Sequence, residues 1–163
     1  MGITGKIYGI NGPVISLKGN LGFKMSEMVY VGEKRLVGEV IGLTKEKTTI
    51  QVYEETSGLH PGEAVEGTGG AICVTLAPGI IHNIFDGIER PLETIAEENG
   101  AFIPTGVSVD ALDREKRWEA HMTVKTGDYV SSGSVIAEVP ETKSIIHKVM
   151  LPPGMEGRVV RVE

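Results

Sequence analysis

A chain of 163 residues has room for one domain, or two small ones, around a modest core. Its formal charge of −6 is dispersed, with 8 Lys and Arg against 13 Asp and Glu in residues 1–100 and 8 against 9 in residues 101–163, so no basic stripe is available for a nucleic-acid backbone. With 22 glycines but only three Phe, four Tyr and one Trp, turns are abundant and the core must be aliphatic, in a Val- and Ile-rich composition that favours strands.

The chain in order reads as short strands. Lys6–Ile10 alternates polar and apolar residues, and Asn11-Gly12 is a tight-turn pair. Pro13 offers no N–H to a ladder, so it belongs at the start or edge of the next strand, Val14–Leu17. Lys18-Gly19-Asn20 breaks that run. Met28–Val31 is a third strand, and Gly32-Glu33-Lys34 turns it into a fourth, Leu36–Leu43, in which Gly38 and Gly42 permit sharp bending. Thr48–Tyr53 is a fifth, with Ile50 and Val52 facing one way and Gln51 the other, and Ala71–Leu76 is expected as the sixth. Six short strands with tight turns and internal glycines predict a closed β-barrel over residues 1–76, since closure removes the exposed edges of a small sheet.

From Pro78 the period changes. Ile80, Ile81, Ile84 and Phe85 fall at helical spacing, with Gly87 placed to stop the run. Pro91 suits the first position of a second short helix, through Glu98, which Gly100 would end. Helices this short need something to pack on. Residues 77–106 are therefore read as a connector, and residues 107–163 as a second all-β unit. In that unit Met122–Val124, Tyr129-Val130, Val135–Val139, Ile145-Ile146, Val149-Met150 and Arg158–Val162 are strands, and Gly127-Asp128 and Ser132-Gly133 are turns.

Cys73 is the lone cysteine, which excludes an intramolecular disulfide and fits a reducing compartment; inside an apolar run it reads as a small buried hydrophobe. Residues 1–6 carry no apolar leader and no run is long enough to span a bilayer, so a cytoplasmic location is expected. His60, His82, His121 and His147 are scattered without paired ligands, so no metal site is assigned. Glu54-Glu55 and Glu97-Glu98 are adjacent carboxylates whose side chains diverge, better suited to solvated turns than to acid–base work. Residues 110–117 form a mixed-charge run, read as an exposed helical turn or a polar docking surface. Gly67-Thr68-Gly69-Gly70 is glycine-rich but lacks a Lys-Ser/Thr and precedes a strand, so it is a poor phosphate cradle.

Five blocks in order resemble one family: GKIYGINGPVIS (5–16), EMVYVGEKRLVGEVIGL (27–43), TIQVYEETSGLHPGEAV (49–65), LAPGIIHNIFDGIERPL (76–92) and VKTGDYVSSGSVIAEV (124–139). The resemblance is to the catalytic A subunit of the V-type and A-type rotary ATPases. It implies a barrel that packs beside B subunits in an alternating ring, a start of the nucleotide-binding domain near residues 77–106, and a protruding bulge from residue 107 that meets the peripheral-stalk stator and continues past Glu163. It also implies a parent that makes or hydrolyses ATP, with Mg2+, coupled to H+ or Na+ transport across a membrane. The family's phosphate-holding G-x-x-x-x-G-K-[ST] motif is absent from these 163 residues, so no catalytic, nucleotide-binding, cofactor or metal residue is assigned and the chain is read as inert toward ATP.

A rival reading concerns Lys143. Residues 124–162 also resemble a lipoyl or biotinyl carrier domain, in which a lysine at a hairpin tip is acylated; here Pro140, Thr142 and Ser144 replace the acidic or Met neighbours such a site presents. The two readings diverge in mass. The ATPase reading predicts a native protein several times heavier than 17.4 kDa, whereas a carrier of this length would show 17.4 kDa plus a cofactor on Lys143, and intact mass spectrometry of the protein from its source cells separates them.

Overall fold

Alternation of apolar and polar residues becomes a wall with one dry side in a computed structural model that describes residues 2–81 and 83–163. Six strands, β1 (Thr4–Asn11), β2 (Val14–Lys18), β3 (Glu27–Val31), β4 (Leu36–Leu43), β5 (Lys47–Val52) and β6 (Ala64–Ala71), close into a barrel in the order β1-β2-β5-β4-β3-β6. Alternate residues point inward: Ile15 and Leu17 from β2, Val29 and Val31 from β3, Leu36 and Val40 from β4, Ile50 and Val52 from β5. Ile7, Phe23 and Val65 complete a core that is aliphatic apart from the Phe23 ring.

Small residues set how closely the strands approach. Gly38 of β4 lies opposite Val52 of β5, and a Cβ there would sit 2.8 Å from the Gln51 carbonyl oxygen. At Gly12 the backbone takes φ +56°, which closes the β1–β2 hairpin. Pro13 lies in the turn immediately before β2, and its carbonyl accepts the Val52 N–H at 2.8 Å.

The sixth strand is not the apolar run read from the sequence. It is the preceding glycine-rich stretch, Ala64–Ala71, whereas residues 72–76 lie outside any strand, with Val74 and Leu76 exposed. Cys73 is exposed too, not buried. The cause is steric as much as apolar. β6 must lie beside both β1, where Gly5 faces Val65, and β3, where Val29 faces Gly67. A Cβ at Gly67 would fall 2.4 Å from the Glu27 carboxylate and 3.0 Å from the Phe23 ring. A run of Ile, Cys and Val could not pass there, and a Gly-Thr-Gly-Gly run can.

Among the described residues the first of the two expected helices does not form either. Ile80 N–H is taken by the Ala77 carbonyl and Ile81 N–H by the Glu141 carboxylate, and the described residues among 80–85 form no helix. Gly87 does not act as a left-handed cap. Helix α1 (Leu92–Asn99) follows Pro91 and ends at Gly100, whose φ of 79° and N–H to the Ala96 carbonyl make the C-terminal stop. Ile95 is its buried residue.

The second β unit holds β7 (His121–Met122), β8 (Tyr129–Val130), β9 (Val135–Pro140), β10 (Ile146–Met150) and β11 (Gly157–Arg158), in sheets β10-β9-β7 and β11-β8. β7 and β11 are shorter than the apolar runs suggested, β8 matches its run, β9 extends one residue further, and the runs at 145–146 and 149–150 merge, from Ile146 on, in the single strand β10. Ala137 and Val139 are the unit's buried apolar residues. The chain divides into two compact units: Met1–Val74 with Phe85–Val109, and Thr75–Ile84 with Asp110–Glu163. The stretch 77–106 is thus shared between them.

A methyl group at Gly38 must push β4 away from β5. Gly38→Ala should therefore lower barrel stability by about 1–3 kcal/mol, read as a reduced urea midpoint at unchanged slope.

Candidate functional site

The part of the barrel unit richest in buried charge is where the chain turns back after its excursion to the second unit. Asp86-Gly87-Ile88-Glu89-Arg90 forms a tight loop because the Asp86 side chain replaces a backbone turn: its Oδ1 accepts the N–H groups of Ile88 at 3.0 Å and Arg90 at 2.9 Å. Glu89 takes φ +65° inside it, and Phe85 and Pro91 bridge across its base. The loop aims Arg90 inward. The Arg90 Nε donates to Asp86 Oδ2 at 2.7 Å, and Nη1 donates to Glu54 Oε2 at 3.1 Å and to the Val107 carbonyl at 3.4 Å.

Glu54 Oε2 also accepts the Gly106 N–H at 2.8 Å, so one carboxylate beyond β5 holds both ends of the segment that returns to the barrel. Gly106 is fixed in turn by space: φ is 77°, and a Cβ would lie 2.7 Å from the Lys34 carbonyl oxygen. Side-chain exposure is 14% for Arg90, 8% for Glu54 and 18% for Asp86, low enough for the ion pairs to matter. Burial alone would raise the Asp86 pKa, but hydrogen bonds from Arg90 and from the Ile88 amide outweigh it and hold the carboxyl below its ordinary value. Burial would likewise lower that of Arg90, and Asp86 and Glu54 together raise it instead. A permanently cationic guanidinium bonded to two carboxylates has no proton to exchange near neutrality. Its chemistry is mechanical: it clasps residues 86–107 onto the barrel.

Three further carboxylates act as internal anion seats. Glu27, 1% exposed, accepts the Lys24 and Gly69 N–H groups, each at 2.8 Å. The Gly67–Gly70 stretch, weighed above as a phosphate cradle, therefore directs an amide at an anion of its own chain. Glu63 accepts the amides of His60 at 2.6 Å and Glu33 at 3.2 Å and also meets the His60 ring; burial opposes ionisation there, and these bonds prevail to keep its pKa low. In the second unit Glu141 accepts the Gly79 and Ile81 amides at 2.7 and 3.2 Å.

The residues singled out in sequence fall in separate places. Glu54 enters the clasp while Glu55 turns to Ser57 on the surface, so the adjacent pair splits. His60 sits in the turn before β6, His121 lies opposite Glu138, His147 lies opposite Val139, and His82 lies outside the described residues. Residues 110–117 form an exposed bend rather than a helical turn, held by the Arg114–Asp110 ion pair at 2.7 Å and by the Asp113 side chain, which accepts the Glu115 and Lys116 amides. Lys143 occupies the exposed tip of the β9–β10 hairpin. No helix among the described residues is long and apolar enough to cross a membrane. The clasp itself was not foreseen. D-G-I-E-R before a proline held its only local signal, opposite charges four residues apart, and the 36-residue separation from Glu54 gave none.

With this geometry established, comparison with known proteins defines the class. Residues 7–69 match the β-barrel domain of the ATP synthase alpha/beta family, and residues 109–163 match the barrel-sandwich domain of ATP synthase alpha/beta subunits. The V-type ATP synthase alpha chain of Halothermothrix orenii is 52% identical over 97% of this chain. The A subunits of the A-type ATP synthases of Pyrococcus horikoshii and Methanopyrus kandleri are 50% identical over 97% and 49% identical over 98%. The chain belongs to this family of V-type and A-type ATP synthase A (alpha) subunits and corresponds to its N-terminal region. It spans 27%, 16% and 27% of the length of those three relatives.

Removing the cation leaves two carboxylates without a partner. Arg90→Met should destabilise the barrel unit by about 3–5 kcal/mol and expose the amides of residues 86–107 to hydrogen exchange first. The acid response follows from the depressed Asp86 pKa. Its stabilisation is fully present above the ordinary value of 3.8 and fades as pH falls through the lower folded-state value. An Asp86→Asn chain should lose that segment of the pH–stability curve in urea titrations across the acid range.

Proposed function

We propose that this chain is the N-terminal assembly region of the catalytic subunit of a V/A-type rotary ATPase. The full-length protein hydrolyses or synthesises ATP coupled to H+ or Na+ transport, and works on the cytoplasmic side of the membrane. The observation that carries this reading is near-50% identity to A-subunit chains along 97–98% of the sequence, together with a barrel and a β-rich second unit in the same order as the two matched domains. The barrel packs against neighbouring B subunits in an alternating ring. The second unit, with its exposed bend at 110–117, meets the peripheral stalk. ATP and Mg2+ are held elsewhere in the parent, because these residues include no G-x-x-x-x-G-K-[ST] run and the glycine-rich stretch is occupied by Glu27.

A second reading draws on one observation, the exposed position of Lys143 at a hairpin tip, where a carrier domain would bear its cofactor. The relatives described above are named as ATP synthase chains, and a shared fold alone does not transfer a carrier's chemistry.

Titration calorimetry of the chain with Mg-ATP should show no saturable heat. Binding in the micromolar range would overturn the assembly reading. Lys143→Arg in the full-length protein should leave function intact; abolition of function by that substitution would support the carrier.

A further inference from the structure

The outer face of β1 differs from the rest of the barrel wall. Alternation sends Ile7 into the core and Lys6 and Tyr8 outward, with the Tyr8 ring 60% exposed. Beside them the chain after β2 folds back against β1. Gly5 lets it do so, because a Cβ at that position would meet Leu17 and Leu21, each at 2.8 Å. Opposite Lys6 stands Ala64, which adds little bulk. An open groove of about 790 Å³ lies on this face, walled by Tyr8, Leu21 and Ala64, with Lys6 and Lys18 as its charged residues.

Among the described residues no carboxylate lines this groove. The acids of the nearby chain are engaged elsewhere: Glu66 pairs with Arg35 at 2.6 Å, and Glu63 holds the His60 turn. Among those same residues neither lysine makes an ion pair; Lys18 places its Nζ 4.4 Å from the Tyr8 ring centroid. An acidic protein thus carries an apolar trough edged by two uncompensated cations, one already stacked on an aromatic face. The complement of such a surface is a peptide segment with carboxylates beside apolar side chains.

We infer that this groove receives an acidic, apolar segment of the neighbouring protomer's barrel, and so that the β1 face is a side of the barrel used in the ring. The inference rests on the assembly role proposed above, and adds which face is used and the chemistry that binds there. Desolvated between Lys6 and Lys18, a partner carboxylate confers orientation, while Tyr8 and Leu21 supply apolar contact.

The test uses the full-length protein with its partner B subunit, the dissociation constant being read by sedimentation or calorimetry at low and high salt. Reversing both charges, Lys6→Glu with Lys18→Glu, should weaken association by about tenfold or more at low salt and remove most of its salt dependence. Lys6→Arg with Lys18→Arg should bind as the wild type does. Tyr8→Ala, which alters no charge, should weaken binding several-fold; it keeps the question open to measurement should the charge-reversed protein fail to fold. Wild-type affinity in the folded charge-reversed and Tyr8 variants would overturn the groove assignment and leave the ring reading standing. A wild-type protein that binds no B subunit would bring down the ring reading, and this inference with it.

Discussion

Closure of the barrel depends on a lack of room at one point. Where β6 crosses β3, the carboxylate of Glu27 and the ring of Phe23 occupy the space a side chain would need at Gly67. A buried carboxylate is costly unless its oxygens are satisfied, and here the Lys24 and Gly69 amides satisfy them. The same residue therefore excludes bulk from the strand and ties that strand down. Without β6, both β1 and β3 would have an open edge and the aliphatic core an open side. The hairpin geometry, the fold-back after β2 and the exit of the chain all presuppose this seam.

A common device runs through the molecule. Glu27, Glu54, Glu63 and Glu141 each accept backbone amides from a turn or a returning segment. A carboxylate offers two oxygens and several lone pairs, so one side chain can satisfy two amides that no ladder reaches. In a chain with 22 glycines and few large side chains, this is an economical way to pin irregular backbone.

Five of the six barrel strands were legible because each states its own burial: a residue at every second position is apolar, and a glycine or turn pair closes each hairpin. The sixth was not, because its place is decided by what β1 and β3 can tolerate rather than by its own propensity, and the apolar run beside it was the louder signal. The helix expected over 80–85 does not form among the described residues, where the Gly79 and Ile81 amides are held instead by Glu141, a carboxylate 60 residues away from Ile81 that no local pattern announces. The clasp was invisible because ion pairing across 36 residues leaves no trace in local pattern. Family membership, by contrast, was legible in the ordered blocks themselves, which need no folding argument to be recognised.

The path of the chain carries a consequence for anyone dissecting it. Residues 85–109 return to the barrel unit after residues 75–84 have joined the other, so neither unit is one continuous stretch of polypeptide. A gene fragment ended after Leu76 would encode all six strands and still be deficient. It would retain Glu54 at its site while discarding both Arg90, which neutralises it, and the Gly106 amide it accepts. Such a fragment would display a bare acidic notch that the intact chain never presents, and any affinity for cations measured there would be an artefact of the cut.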